Sequence, residues 1–143
     1  MRRATRASIL RQSKQAENRV ARYIWGPQAT RDWKDDHDLS GPDAEGMRWV
    51  GEVKSHAWPS GPGAVWGLLL AALRQAEKHS QTAFACFIPP SCQPQRALVM
   101  YRSGGRPVVV TLRDFREERL GLFEGANRVQ DVHQQPLFAA QED

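Results

Sequence analysis

The sequence predicts an α/β or α+β sandwich, a central mixed β-sheet flanked by helices, and three observations carry that prediction. Two segments repeat apolar residues at helical spacing, several shorter runs alternate with a period of two or are apolar throughout, and glycine- and proline-rich punctuation separates them. The resulting order of helix, strands, helix, strands, helix packs naturally as layers around one core.

From about Ser8 to Trp25 the apolar positions Ala16, Val20, Tyr23 and Ile24 form a helical stripe that Gly26-Pro27 stops. Glu17 lies one step off that stripe, in line with Ala21 and Ile24, which places its carboxylate at the edge of the buried face. The mostly polar stretch Gln28 to Ser40 fits one bent strand or two short ones. Gly41-Pro42-Asp43-Ala44-Glu45-Gly46 is dense in turn formers and Met47 to Lys54 alternates as a strand, so the pair reads as a hairpin.

Ser55 to Gly63 is a loop by its proline and glycine content. The helix expected after it, about four turns long, turns Val65, Leu69, Ala72, Leu73 and Ala76 to the core and Arg74, Gln75, Glu77 and Lys78 away from it. The Leu68-Leu69-Leu70 run reads first as core and second as a dimer interface. Thr82 to Ile88 is a short apolar strand ended by Pro89-Pro90. Arg96 to Tyr101 and Pro107 to Leu112 make a second hairpin across Ser103-Gly104-Gly105-Arg106. Thr111, three residues before Asp114, is placed to cap a last short helix reaching about Leu120, and residues 121–143 form an irregular tail.

A chain of 143 residues, 41% hydrophobic and 25% charged, suits one globular domain, expected over residues 1–120. Its longest apolar run, Val65 to Leu73, is too short to cross a bilayer core of about 30 Å, so no membrane association is expected. The basic amino terminus lacks the apolar segment and cleavage site of a secretory signal, which makes the cytoplasm the expected compartment. Cys86 and Cys92 fit a buried thiol and a loop thiol, or a local disulfide; reduced structural thiols are the expected state, and zinc-cluster ligands are missing. The formal charge of +4 is concentrated at the amino end in Arg2, Arg3, Arg6, Arg11, Lys14, Arg19 and Arg22, which suits a polyanionic partner or a solvated helix face.

Alternation along Met47 to Lys54 sends Arg48, Val50, Glu52 and Lys54 to one face, with Glu52 and Lys54 about 7 Å apart along the strand. An acid beside an amine can be a plain salt bridge. The hairpin adds Asp38 on the neighbouring strand, where opposed Cβ atoms come within about 4.5 to 5.5 Å. Two carboxylates that close repel unless a positive charge sits with them. Mg²⁺ supplies it with hard oxygen ligands, here Asp38, Glu52 and a backbone carbonyl such as that of Val53, leaving positions for water and phosphate. Such a site hydrolyses phosphodiesters, with Lys54 offsetting the charge that builds up during attack and Glu17 available for a water or a second metal.

The ordered set of Glu17 on the first helix, the segment Trp33 to Gly41, the strand Trp49-Val50-Gly51-Glu52-Val53-Lys54-Ser55 and a helix bearing Gln75-Ala76-Glu77 resembles the PD-(D/E)XK nuclease superfamily. More narrowly, it is similar to the archaeal and phage Holliday junction resolvase branch, over about Ala16 to Phe115. The resemblance implies a restriction-endonuclease-like core, Mg²⁺ or Mn²⁺ dependence and a homodimer acting on four-way DNA junctions. By position it implies Asp38 and Glu52 as metal ligands, Lys54 as the catalytic lysine, Glu17 as the first-helix acid and Gln75 as an auxiliary residue. The chain departs from the pattern in having His37 where a proline often precedes the metal Asp. Asp35, Asp36 and Asp43 compete with Asp38, and Asp36 is second choice because it shares the strand face.

Alternatives remain at this stage: a nuclease on linear or flapped duplex, or a noncatalytic nucleic-acid-binding module resting on charge alone. DNA contacts are expected from Arg2, Arg3, Arg6, Arg11 and Lys14, and from Trp58, which could stack on an unpaired base or anchor its loop. His37, His56, His79 and His133 lack metal-ligand spacing; His56, two residues beyond Lys54, is the one placed to line the site.

Overall fold

The computed structural model describes residues 6–29, 38–61 and 63–123, the first five of these by backbone alone. Helix α1 (Arg6–Trp25) precedes strands β1 (Leu39–Pro42) and β2 (Arg48–Lys54), and helix α2 (Ala64–Glu77) precedes β3 (Ala83–Phe87), β4 (Leu98–Ser103) and β5 (Arg106–Thr111). A short turn, Pro94–Arg96, leads into β4, and α3 (Leu112–Asp114) widens into a π-helical turn at Phe115–Arg119. The sheet order is β1-β2-β3-β4-β5, with β2 and β3 parallel and every other pair antiparallel. The molecule is therefore an α+β fold with a mixed sheet.

Strand alternation divides the core between the two faces of the sheet. Trp49 and Val53 pack with Phe84, Cys86 and the α1 residues Ala16, Val20, Ala21 and Ile24. Val50 packs with Ala85, Phe87 and the α2 residues Leu69, Ala72, Leu73 and Ala76. All five residues of β3 are buried, as expected of a strand covered on both faces. On α2, Leu69 is fully buried while Leu68 and Leu70 are half-buried, so one leucine of the three is wholly core. Glu77, on the outer side of α2, takes the guanidinium of Arg102 and ties the helix to β4.

Local sequence explains the hairpins. Gly104 and Gly105 both have positive φ, 61° and 82°, which a tight two-residue β4–β5 turn requires. Thr111 Oγ1 accepts from Asp114 N at 3.2 Å and starts α3. The first hairpin differs from expectation, because Gly41 and Pro42 lie inside β1 and the reversal comes at Asp43 to Met47. Pro42 is tolerated on an edge strand. Gly41 makes room for Trp25, since a Cβ there would sit 2.2 Å from the indole, and Trp25 Nε1 donates to Pro42 O at 2.8 Å. Arg96, expected in a strand, closes the turn begun by Pro94 instead.

Both cysteines are free thiols, Cys86 buried and Cys92 half-buried. Burial first, and then the neighbouring Cys92, pushes the Cys86 thiol up from its ordinary range. No helix of the described residues is long and apolar enough to cross a membrane. The expectations for residues 30–37, with Asp35, Asp36 and His37, and for Arg2, Arg3, His133 and the tail beyond 123 lie outside the described residues.

Gly51 is a tight point of the core. It faces Phe84 across the β2–β3 ladder, and an added Cβ would lie 2.4 Å from that ring, which is itself packed on Phe115 with 4.8 Å between centroids. Gly51→Ala is expected to lower stability in urea unfolding by about 1–3 kcal/mol through overpacking. Gly67→Ala, in α2 with open space around its Cβ, is expected to gain about 0.4–1 kcal/mol. An unchanged midpoint for Gly51→Ala would show that Phe84 has room to move.

Candidate active site

Four of the sequence-predicted residues come together. Asp38, Glu52, Lys54 and Gln75 line one cavity of about 420 Å³, walled on the helix side by Leu68, Ala71 and Ala72 of α2. The β1–β2 register, Leu39 opposite Gly51, places Asp38 beside Glu52. Alternation along β2 turns Glu52 and Lys54 toward α2, and Gln75 reaches the cavity from that helix.

The backbone fixes Asp38. Val50 N donates to Thr82 O, and Lys54 O accepts from Ile88 N, so the even-numbered residues of β2 direct their backbone groups to β3. Val53 therefore faces the β1 side, two residues beyond Gly51, the partner of the first β1 residue, Leu39. There its N–H donates to Asp38 Oδ2 at 2.8 Å, and its carbonyl shares the same edge. Asp38 N in turn donates to Gly51 O at 3.2 Å. The side chain substitutes for a strand residue, which orients the carboxylate toward its neighbour.

Glu52 is only 6% exposed. Its carboxyl is pushed up from 4.5 to about 8, first by burial, then by the charge of Asp38 and a hydrogen bond shared with it, with Lys54 acting in the opposite sense and Glu17 adding to the rise. A simple Glu52–Lys54 salt bridge would hold the acid below its ordinary range. The net rise means that burial and the second carboxylate outweigh the lysine. The raised value favours the protonated form of Glu52 near neutral pH.

Glu17 belongs to α1, whose apolar stripe packs on the opposite face; it is 8% exposed and its negative charge is felt at Glu52. Among the described residues, no group of three or more His, Cys, Asp and Glu side chains is placed to hold a metal ion. The site offers two hard carboxylates and a backbone edge. Asp43 leaves the competition. It accepts from Glu45 N, Met47 N and Trp49 Nε1 at 2.9–3.0 Å and closes the hairpin turn. Burial acts upward on its carboxyl, but those hydrogen bonds and the nearby Arg119 hold it below its ordinary value. His56 is exposed, bonded through Nδ1 to Ala57 O and set against Phe87, and does not line the cavity.

Of the residues expected to meet DNA, Arg11 and Lys14 are exposed on α1 and Trp58 is 58% exposed. Sequence reasoning missed a second depression, beside Trp58, walled by Pro89 to Gln93 and by Arg96. The signal was available: strands running parallel must end on the same side, so the loops after Lys54 and after Phe87 had to be neighbours.

The raised carboxyl sets a pH dependence. Between about pH 4.5 and 8 the folded protein holds a proton on Glu52 that the unfolded chain has released, so this group's contribution to stability is full below 4.5 and is lost as the pH rises through 8. Urea unfolding across that window is expected to give a downward slope that Glu52→Gln flattens. Parallel slopes for the two proteins would mean that Glu52 titrates normally. No family model, curated protein or solved structure matches the chain.

Proposed function

We propose that the chain is a Mg²⁺-dependent DNA endonuclease of the PD-(D/E)XK type, with four-way junction DNA as its first substrate and flapped or linear duplex as the alternative. The observation that carries the reading is half-buried Asp38 beside the buried Glu52, with Lys54 on the same strand face. A structural ion pair has no need of the second carboxylate, whose presence costs energy until a cation joins it.

The donor set fits Mg²⁺ or Mn²⁺: Asp38 and Glu52 would hold the ion, with the carbonyl of Val53 at the same edge and water completing the shell. A bound divalent cation supplies Lewis acidity at a phosphoryl oxygen and a water of lowered pKa. The chain's own residues do the rest. Lys54, a compact point charge, offsets negative charge growing on the phosphoryl group. Gln75, on the facing helix, can donate to and accept from a water or phosphate oxygen in the cavity. Glu17 supports the acidic field from the α1 side. Arg11 and Lys14 would take backbone phosphates, which makes affinity fall with salt. A homodimer offering two such sites to a junction completes the proposal.

The wild-type protein is expected to nick a four-way junction in Mg²⁺ or Mn²⁺. Glu52→Gln should abolish cutting, and Lys54→Ala should slow it by about 10²- to 10³-fold. Mn²⁺ should raise the unfolding temperature of the wild type but not of Asp38→Ala. Undiminished cutting by Glu52→Gln and by Lys54→Ala would end the proposal. Junction, flap and linear duplex of equal length, compared under one salt, rank the substrates.

A further inference from the structure

The second depression combines an aromatic surface with a guanidinium. It measures about 690 Å³ and is walled by Trp58, Pro89, Pro90, Ser91, Gln93 and Arg96. Trp58 is 58% exposed, yet its ring is held edge-on to the buried Phe87, with 5.1 Å between centroids and planes at 65°. A tryptophan fixed at one edge and open on the outside is a ready stacking surface. Arg96 is exposed, and among the described residues no carboxylate lines the depression and no acidic side chain pairs with that guanidinium. Gln93 and Ser91 add polar groups at the rim.

Its position is equally informative. Phe87 lies across the ladder from Lys54, at an interstrand spacing of about 4.8 Å, so Trp58 is only a few nucleotides' rise, at about 3.4 Å each, from the lysine-bearing strand. Helix α1 joins the two loops that flank the depression. Gln12 Nε2 donates to Ser55 O at 3.5 Å, and the Arg19 guanidinium donates to Cys92 O. The same helix carries the exposed Arg11 and Lys14.

We infer that this depression is a subsite for one unpaired nucleotide, its base stacked on Trp58 and its phosphate against Arg96. The inference rests on the nuclease reading for its purpose and deepens it: the substrate is DNA whose strands part next to the cut. A proline-rich peptide could also use an aromatic surface, but it would leave Arg96 and the α1 cations without a counterpart.

The test uses the full chain without divalent metal and a four-way junction carrying 2-aminopurine at an unpaired position near its centre, with fully paired duplex of the same sequence as comparison. The wild type should quench the unpaired base; Trp58→Ala should lose the quenching and on the order of tenfold in affinity for the junction, with little change for duplex; Trp58→Phe should keep part of both. Arg96→Gln should lower the salt dependence of junction binding by about one charge. Unchanged quenching in Trp58→Ala, or equal losses for junction and duplex, would overturn the inference. So would a proline-rich peptide that displaces no DNA yet binds in a Trp58-dependent way. Trp58-dependent quenching without any metal-dependent cutting removes the nuclease reading and leaves the subsite, whereas cutting with no role for Trp58 does the reverse.

Discussion

The hydrogen bond from Val53 N to Asp38 Oδ2 is the constraint on which the rest of the site depends. A free aspartate at a strand end would swing into water, away from a buried glutamate of the same charge. Held at 2.8 Å by a backbone N–H, it stays beside Glu52, and the repulsion has to be met some other way. Glu52 meets it by keeping a proton, since burial and Asp38 together overcome the opposite pull of Lys54. A proton is the smallest cation able to do this. A divalent ion would use both carboxylates more fully and would release that proton on binding, which is why the same geometry that costs stability in the bare protein suits metal chemistry.

Asp38 sits just before β1, whose first residue, Leu39, lies opposite Gly51; Val53 is two residues further along β2, and the Asp38 side chain accepts its N–H there. On the other side, the parallel β2–β3 pair requires α2 as its crossover, and this brings Gln75 and the Leu68–Ala72 wall over Glu52 and Lys54. Because both parallel strands finish on the same side, the loop bearing Trp58 and the loop bearing Pro89 to Gln93 lie together. One topological choice therefore sets the acids, the lysine and the aromatic depression along a common edge.

The parts legible in the sequence are those governed by short periods. The helical stripe of Ala16, Val20 and Ile24, the α2 face of Leu69, Ala72, Leu73 and Ala76, and the alternation that pairs Glu52 with Lys54 all follow from residue spacing, and the structure has them as expected. Asp38 beside Glu52 followed from the hairpin even though the turn falls two residues later, because Gly41 and Pro42 extend β1 without changing which residues face each other. What spacing does not reveal is the use of a side chain in place of strand backbone, as with Asp38, or the reason Gly41 and Gly51 are glycines. Those answers lie in Trp25 and Phe84, partners far along the chain. Arg96 leaves the strand pattern because Pro94 starts a turn two residues before it.

Charge is arranged in layers rather than spread evenly. The segment Arg6–Trp25 holds a single acid, Glu17, and that acid is turned inward, while Arg11 and Lys14 on the same helix face water. Glu52 in the site is likewise hidden, at 6% exposure. A polyanion approaching α1 thus meets positive charge before it meets Glu52. The rise of the Glu52 carboxyl follows from burial and from Asp38, with Lys54 acting against it. In the proposed nuclease, these cations would recruit a phosphodiester and a bound divalent ion would hold it in the cavity. A module that only bound nucleic acid would gain from losing Asp38, whereas a metal-dependent enzyme depends on it.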